Sequence, residues 1–142
     1  MRKFLIKIPW WLKRLYPKRI WQMDPSEKKI YLTFDDGPHP VATPFVLDIL
    51  KKYDAKATFF CIGKNVAAHP EIFQRILSEN HSVGNHTQDH LNGWHSDTET
   101  YIKNVELARG YIKSSLFRPP YGKIRSAQVK KMQQYRIIMW DV

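Results

Sequence analysis

Two adjacent carboxylates, Asp35 and Asp36, lie in the stretch TFDDGPHP at residues 33–40. They follow an apolar, β-branched run at residues 30–34 and precede a Gly-Pro pair, which predicts a strand that ends in a loop. Asp, Gly and Pro all favour turns, so turn chemistry explains the pair as well as a catalytic role does. Residues elsewhere in the chain have to decide between the two interpretations.

Two histidines, His86 and His90, are four residues apart in the stretch GNHTQDH. On a helical turn this spacing places both rings on one side, where they can share a cation. The pair alone is weak evidence, but two histidines and one carboxylate form a recurrent ligand set for zinc or another divalent transition metal. A second carboxylate beside the ligand could take a proton from water at the metal. Successive side chains diverge along a strand, so Asp35 and Asp36 suit two roles.

A third motif, FRPPYG, contains Arg118, two prolines and Tyr121. A guanidinium close to a catalytic Asp would keep that carboxylate ionised and oriented. Consecutive prolines fix the backbone, so the amide that follows them can be held toward a developing oxyanion. Taken alone, the motif is equally a proline turn with a surface arginine.

The elements that must position these residues alternate along the chain from residue 30 onward. Apolar runs predict five strands, at residues 30–34, 57–62, 81–85, 116–118 and 136–142. Between them, helices are predicted at residues 44–53, from Pro70, from the S-x-x-E capping box at residues 96–99, and from Ser126. This alternation predicts an α/β fold with a parallel sheet and outer helices. Reactive groups then gather at the carboxyl ends of the strands, which brings the three motifs and Asp141 to one rim.

Length and composition indicate one folded domain. The chain has 142 residues, of which 43% are hydrophobic and 25% charged, and one cysteine, Cys61, which excludes an internal disulfide framework. Cys61 lies in an apolar run and is predicted to be a buried structural thiol. The formal charge of +10 is uneven, because residues 1–29 carry +7 and residues 30–142 only +3.

Residues 1–29 are predicted to be a basic, Trp-containing N-terminal arm, and residues 30–142 the globular domain. Lys7, Pro9 and Lys13 interrupt every apolar stretch of the arm, so neither a secretory signal nor a transmembrane span is expected. The sequence favours packing of the arm's aromatic residues against the domain over peripheral membrane contact, and it favours a cytoplasmic or membrane-peripheral location. The nearly balanced domain argues against a nucleic-acid partner.

The three motifs, in this order and at these intervals, resemble the NodB-homology polysaccharide deacetylases, carbohydrate esterase family four. The resemblance covers roughly residues 28–142. It implies a distorted (β/α) barrel and a metal-dependent enzyme, with zinc as the favoured metal, that removes N-acetyl or O-acetyl groups from chitin-like or peptidoglycan amino-sugar polymers. It also implies that Asp35 is the base, and that Arg118 tethers Asp35 while the Tyr121 backbone helps to form the oxyanion site. The metal ligands it implies are Asp36, His86 and His90.

The sequence departs from the family pattern at its C-terminal end. The family's general acid is a histidine in a Leu-x-His motif that follows an Asp-Trp-type motif, and this chain stops at Met139-Trp140-Asp141-Val142. Five predicted strands, against seven or eight in such a barrel, imply an incomplete barrel with exposed apolar strand edges. The remaining histidines have no motif support as the acid; they are His39, His69, His81 and His95.

Three functions therefore remain open from the sequence. The leading hypothesis is a hydrolase of acetyl groups on amino sugars. The second is a catalytically impaired fragment, or a carbohydrate-binding remnant, that keeps the metal ligands but lacks the acid. The third is a relative that uses the same water chemistry to hydrolyse a small amide.

Overall fold

The computed structural model describes residues 9–24, 26 and 28–140, with the side chain of Leu12 left out. The strands in this part of the chain are β1 (Arg19–Ile20), β2 (Leu32–Gly37), β3 (Ala57–Cys61), β4 (Ser82–Asn85), β5 (Leu116–Phe117) and β6 (Arg136–Ile138). The helices are α1 (Trp10–Leu15), α2 (Ala42–Lys52), α3 (Gly63–Ala68), α4 (Pro70–Ser78), α5 (Thr98–Arg109) and α6 (Ser126–Lys130), and a 3-10 turn covers Pro120–Gly122.

The strands form one parallel sheet in the order β1-β6-β5-β4-β3-β2. Each connection from β2 through β6 leads to the neighbouring strand and contains at least one helix, which is the arrangement that alternating β and α segments favour. The prediction of an α/β fold with a parallel sheet and an incomplete barrel is confirmed.

One strand more than predicted belongs to the sheet. Arg19 and Ile20, in the basic arm, pair with Ile137 and Ile138 of β6. A two-residue strand is too short to produce a readable alternation of apolar and polar residues, which explains why the sequence did not reveal it. Part of the arm is thus continuous with the sheet; residues 1–8 lie outside the described part of the chain.

Helices and sheet enclose the apolar core in two clusters. The first joins α2, α3 and α4 to β3, and the second joins α5 and α6 to β5 and β6. Cys61 is fully buried in the first cluster, and this burial raises the pKa of its thiol to about 12. At neutral pH the thiol is therefore protonated and unreactive, as expected of a structural cysteine.

Most predicted helices occur within two residues of their expected bounds, but the details of their starts differ. The residue that caps α5 is Asp97, whose carboxylate accepts a hydrogen bond from the Thr100 N–H, so the capping box predicted from Ser96 is wrong. Ser126 is the first residue of α6 rather than its cap. Helix α3 was not predicted at all, since Gly63 and two alanines give it no amphipathic pattern.

The sheet is open between β1 and β2, which are its two edges in the described part of the chain. A cavity of about 380 Å³ lies between these edges, and it is lined by residues 20–24, 29–31 and 138–140 together with Thr33 and Arg118. Several apolar side chains around it are exposed, and Ile30 is the most exposed at 89%. The expectation that an incomplete barrel exposes apolar residues at its strand edges is therefore met.

The tryptophans of the arm differ in their burial. Trp21 packs against the second core cluster, whereas Trp10 and Trp11 of α1 are exposed. None of the helices in the described residues is long and apolar enough to span a bilayer. Contact of the arm with a membrane surface stays a prediction.

Candidate metal centre and catalytic site

The predicted reactive residues lie together at the carboxyl-terminal edge of the sheet. Asp35 and Asp36 end β2, His86 begins the loop after β4, and Arg118 follows β5. Because the strands are parallel, these ends meet on the same side of the sheet. The grouping of the motifs on one rim is confirmed for these residues; Asp141 lies outside the described part of the chain.

A β-bulge at the end of β2 separates the two carboxylates. Asp35 pairs with Phe60, but the next pair in register is Gly37 with Cys61, so Asp36 is the extra residue. Asp36 also has a φ of 67°, in the left-handed region that Asp tolerates better than most residues. The two neighbouring side chains consequently reach different partners. Asp35 contacts Arg118, and Asp36 contacts the two histidines.

Asp36, His86 and His90 form a cluster that could hold a metal ion. The Nε2 atoms of His86 and His90 lie 3.3 and 3.0 Å from Oδ1 of Asp36, and one ligand atom from each residue falls within 4.8 Å of the others. Together the three side chains provide the two imidazoles and one carboxylate that suit zinc and similar divalent cations.

The hydrogen bonding of His86 shows that this cluster fits a cation. Its Nδ1 lies 2.6 Å from the backbone carbonyl oxygen of Arg118. A carbonyl oxygen only accepts, so Nδ1 must carry the proton, and in the neutral ring Nε2 presents a lone pair toward the Asp36 carboxylate. Two lone pairs facing each other at this distance repel unless a proton or a metal ion lies between them. A metal ion would satisfy both atoms, and the carbonyl of Arg118 orients the ring for it.

The environment of the cluster also favours the protonation states that bind metals. Contact with His86 lowers the pKa of Asp36, and this effect exceeds that of its partial burial, which acts in the opposite direction. Burial lowers the pKa of His90 and outweighs the attraction of Asp36. Asp36 is therefore ionised and His90 neutral over a wider pH range than in a free peptide.

The loop that carries the two histidines is not helical, contrary to the helical turn predicted from their spacing. Thr87 and His90 have φ angles of 66° and 59°, which no helix contains. The two rings nevertheless converge, with their centroids 5.1 Å apart. The four-residue spacing thus correctly indicated that the two imidazole rings lie together. Two left-handed residues in an irregular loop, rather than a helical turn, bring the rings together.

Arg118 is 3% exposed and is bound on every side. Its Nη1 donates to Oδ1 of Asp35 and to Oγ1 of Thr33, both at 2.8 Å, while Nε and Nη2 donate to the carbonyl oxygens of Ile138 and Met139. Its guanidinium lies 4.2 Å from the ring centroid of Phe60. A buried cation requires such a set of acceptors and one counter-charge, and here the counter-charge is Asp35.

Sequence reasoning missed two partners of Arg118, Thr33 and Phe60. Thr33 could have been found, because residues i and i+2 of a strand share a face and Thr33 is two residues before Asp35. Phe60 depends on a glycine on the neighbouring strand: a Cβ at Gly84 would lie 2.4 Å from the Phe60 ring. Only glycine at that position leaves the ring its space, and the sequence alone does not show this contact.

Tyr121 follows two prolines and has a φ of 59°. Its backbone N–H makes no hydrogen bond to the described residues, whereas the N–H groups of Gly122 and Lys123 bond to the carbonyl oxygens of Pro119 and Pro120. Tyr121 is 59% exposed as a residue, and its ring centroid lies 4.6 Å from that of His90. An N–H without an acceptor next to the metal cluster is available to a ligand.

Two of the other histidines are engaged in structural contacts. Nδ1 of His39 accepts the N–H groups of Val41 and Ala42 at the start of α2, both at 3.2 Å. His81 is buried before β4, and its Nδ1 accepts the N–H of Ala57 at 3.3 Å. Both side chains therefore act in local structure.

Comparison with known proteins agrees with this geometry. A sequence profile of the family described as polysaccharide deacetylase matches residues 22–140. A peptidoglycan-N-acetylglucosamine deacetylase of Bacillus cereus is 39% identical over 128 residues, which is 85% of this chain and 60% of that protein. A chitooligosaccharide deacetylase of Azorhizobium caulinodans is 39% identical over 106 residues, or 68% of this chain and 50% of that protein. The chain thus spans about half to three fifths of the length of these relatives.

The fold has close counterparts among solved structures. The Bc1960 peptidoglycan N-acetylglucosamine deacetylase superposes with a TM-score of 0.81 at 33% identity, and the match covers 94% of this chain and 65% of that one. The Asp-His-His set described above is typical of the metal site in this family.

Removal of one metal ligand tests the cluster directly. We expect His86→Ala to lower the zinc affinity of the full chain by more than about 100-fold, because changing groups that only orient a ligand already costs roughly 10- to 100-fold. Isothermal titration calorimetry with zinc measures this. His95→Ala, which removes an exposed histidine, is the matched control and should bind zinc as the unchanged chain does. Unchanged zinc affinity in His86→Ala would show that His86 is not a ligand.

The pKa directions predict how zinc affinity depends on pH. Protons compete with the metal for His90, and the pKa of that histidine lies below its ordinary value of 6.5. We therefore expect the affinity to stay level from pH 7.5 to about 6.5 and to fall only below the lowered pKa, by up to about tenfold per pH unit for each proton displaced. Chelator competition at a series of pH values measures it, with circular dichroism as a check that the chain stays folded. A tenfold fall in zinc affinity between pH 7.5 and 6.5 would contradict a lowered pKa of His90.

Proposed function

The chain belongs to the polysaccharide deacetylase family, and we propose that it is a zinc-dependent hydrolase that removes acetyl groups from the amino sugars of peptidoglycan or a chitin-like polymer. The observation that carries this proposal is the separation of two adjacent carboxylates by one β-bulge. The bulge directs Asp36 toward His86 and His90 and Asp35 toward Arg118, so a metal ion bound by Asp36 and the histidines would supply a Lewis acid beside a base.

Each residue has one role in the proposed reaction. A divalent cation held by Asp36, His86 and His90 would supply a Lewis acid that polarises the acetyl carbonyl and acidifies a neighbouring water molecule. Asp35 accepts the proton of that water. Arg118 binds Oδ1 of Asp35, so the carboxylate stays oriented and its second oxygen can receive the proton.

The Tyr121 N–H supplies the second source of stabilisation. Negative charge develops on the carbonyl oxygen as water adds to it, and an N–H that is already oriented lowers the energy of that charge. The left-handed φ of Tyr121 and the two preceding prolines fix this N–H before substrate binds. Because the N–H has no acceptor among the described residues, it loses no hydrogen bond when the oxyanion forms.

The substrate class rests on the relatives. Those at about 40% identity are named as deacetylases of peptidoglycan or of chitooligosaccharides, and both polymers carry N-acetylated amino sugars. The acetamide group is common to the two, and it is the group on which the proposed metal ion and Asp35 would act. We propose acetylated amino-sugar polymers as the substrate class on this ground.

Departure of the amine from an acetylated amino sugar requires a proton from a general acid. An ester with a phenolate leaving group needs no such proton. We therefore expect the zinc-loaded full chain to hydrolyse 4-nitrophenyl acetate more readily than N-acetylglucosamine oligomers, because only the oligomer reaction depends on an acid.

Acetate release from both substrates, with and without a chelator, tests the function. Zinc-dependent release from the ester would confirm the water chemistry at the site, and zinc-dependent release from the oligomers would establish the deacetylase activity. A zinc-loaded chain that releases acetate from neither substrate would contradict the proposal. If that chain still bound oligomers, it would be the carbohydrate-binding remnant.

The role of Asp35 has its own test. Asp35→Asn keeps an oxygen that can accept from Arg118 but removes the base, so we expect zinc binding to be retained and ester hydrolysis to fall by roughly 10²- to 10⁴-fold. Asp54→Asn, a change in an exposed carboxylate that precedes β3 at the opposite end of the sheet, is the matched control and should keep full activity. Full activity in Asp35→Asn would exclude Asp35 as the base.

A further inference from the structure

A buried asparagine on α5 holds the loop between the two histidines. Oδ1 of Asn104 accepts the backbone N–H groups of Gln88 and Asp89 at 2.9 and 3.0 Å. In the opposite direction, Nδ2 of Asn104 donates to the Asp89 carboxylate at 2.7 Å. The backbone carbonyl of Asn104 also lies 3.2 Å from the Gln88 nitrogen. One side chain therefore binds two consecutive amides and the adjoining carboxylate.

The bound segment is the one that sets the distance between the proposed ligands. Gln88 and Asp89 lie between Thr87 and His90, both of which have positive φ angles. Such residues cost free energy and persist only where surrounding contacts determine the backbone. Without the Asn104 side chain, the Asp89 N–H would have no acceptor among the described residues and the Gln88 N–H would keep only the backbone carbonyl of position 104, so the loop could relax toward ordinary φ values.

The chemistry of position 104 suits asparagine specifically. The position requires an acceptor for two N–H groups and, on the same planar group, a donor to a carboxylate. Aspartate provides the acceptor but places a second negative charge against Asp89, and an aliphatic residue provides neither. Asn104 is 8% exposed, so water does not easily replace its contacts with the two amides, whereas Asp89 itself is exposed.

We propose that Asn104 and Asp89 are positioning residues, which act through the 86–90 loop to hold the two imidazoles at the separation that metal binding requires. The inference rests on the proposed metal site. The zinc affinity of that site then depends on one amide–carboxylate contact with α5, a helix that provides none of the proposed metal ligands.

A reciprocal exchange of the two side chains tests the contact. Asn104→Asp should weaken zinc binding to the full chain by roughly 10- to 100-fold, the range for groups that orient metal ligands. Asp89→Asn combined with Asn104→Asp reverses donor and acceptor and keeps the net charge of the original pair. We expect this double variant to return to within about threefold of the original zinc affinity, because the two sites are coupled through their contact.

A control separates positioning from general destabilisation of α5. Val105→Ala removes buried apolar contacts from the next residue of the same helix and leaves its backbone carbonyl in place. It should lower the melting temperature without changing zinc affinity by more than about threefold, because its effect is on packing. If Asn104→Asp lowered the melting temperature but left zinc affinity unchanged, Asn104 would be a structural residue only and the proposal would be wrong.

Hydrogen exchange in the metal-free chain gives a readout that does not depend on zinc. The Gln88 and Asp89 amides should exchange faster in Asn104→Asp, because repulsion between the two carboxylates moves the substituted side chain away from the loop. Exchange should slow again in the double variant, where that repulsion is removed. Unchanged exchange at both amides in Asn104→Asp would overturn the proposal. A chain that bound no zinc, yet showed these exchange changes, would contradict the proposed function while leaving the positioning contact established.

Discussion

The buried guanidinium of Arg118 is the constraint on which the arrangement of the site depends. In the sheet, β5 is separated from β2 by two strands and lies next to β6, yet Arg118 contacts residues that belong to or follow both. A side chain of fixed length can do so only if the sheet curls until β2 and β6 approach each other. Burial of the cation costs desolvation free energy. Each acceptor that the curl brings close to Arg118 offsets part of that cost and so favours the curl. The same arginine side chain therefore brings β2 and β6 together and orients Asp35.

Two neighbouring carboxylates lie at the end of β2, and the bulge at Asp36 directs them to different partners. Asp35 contacts Arg118, and Asp36 contacts the two imidazoles. This division also separates the chemistry. The proposed base is held by a permanent cation, and the proposed ligand Asp36 contacts the two other proposed ligands.

Motif order and strand alternation predicted much of this arrangement. The parallel α/β sheet and the rim that gathers the motifs followed from the pattern of apolar runs, and the spacing of polar residues indicated a metal site of two histidines and one carboxylate. The choice of Asp36 rather than Asp35 as the carboxylate ligand came from the resemblance to the family. The sequence did not reveal β1, which is too short for a period, or the left-handed loop, whose backbone depends on tertiary contacts. The contact between Arg118 and the Phe60 ring was also not predicted, because it requires Gly84 of one strand to leave space for Phe60 of the next. Local patterns specify elements, whereas contacts between elements specify the fine geometry of a site.

Backbone strain is concentrated where the chemistry is proposed. Of the seven described non-glycine residues with positive φ, four are at the site; they are Asp36, Thr87, His90 and Tyr121. Such conformations cost on the order of 1–3 kcal/mol each and need compensation. Three asparagines provide it around the metal cluster. Asn65 donates to the Asp36 carbonyl, Asn85 accepts the Thr87 N–H, and Asn104 binds the next two amides. The compensating groups come from α3, β4 and α5, so the ligand geometry depends on the packing of the whole α/β unit.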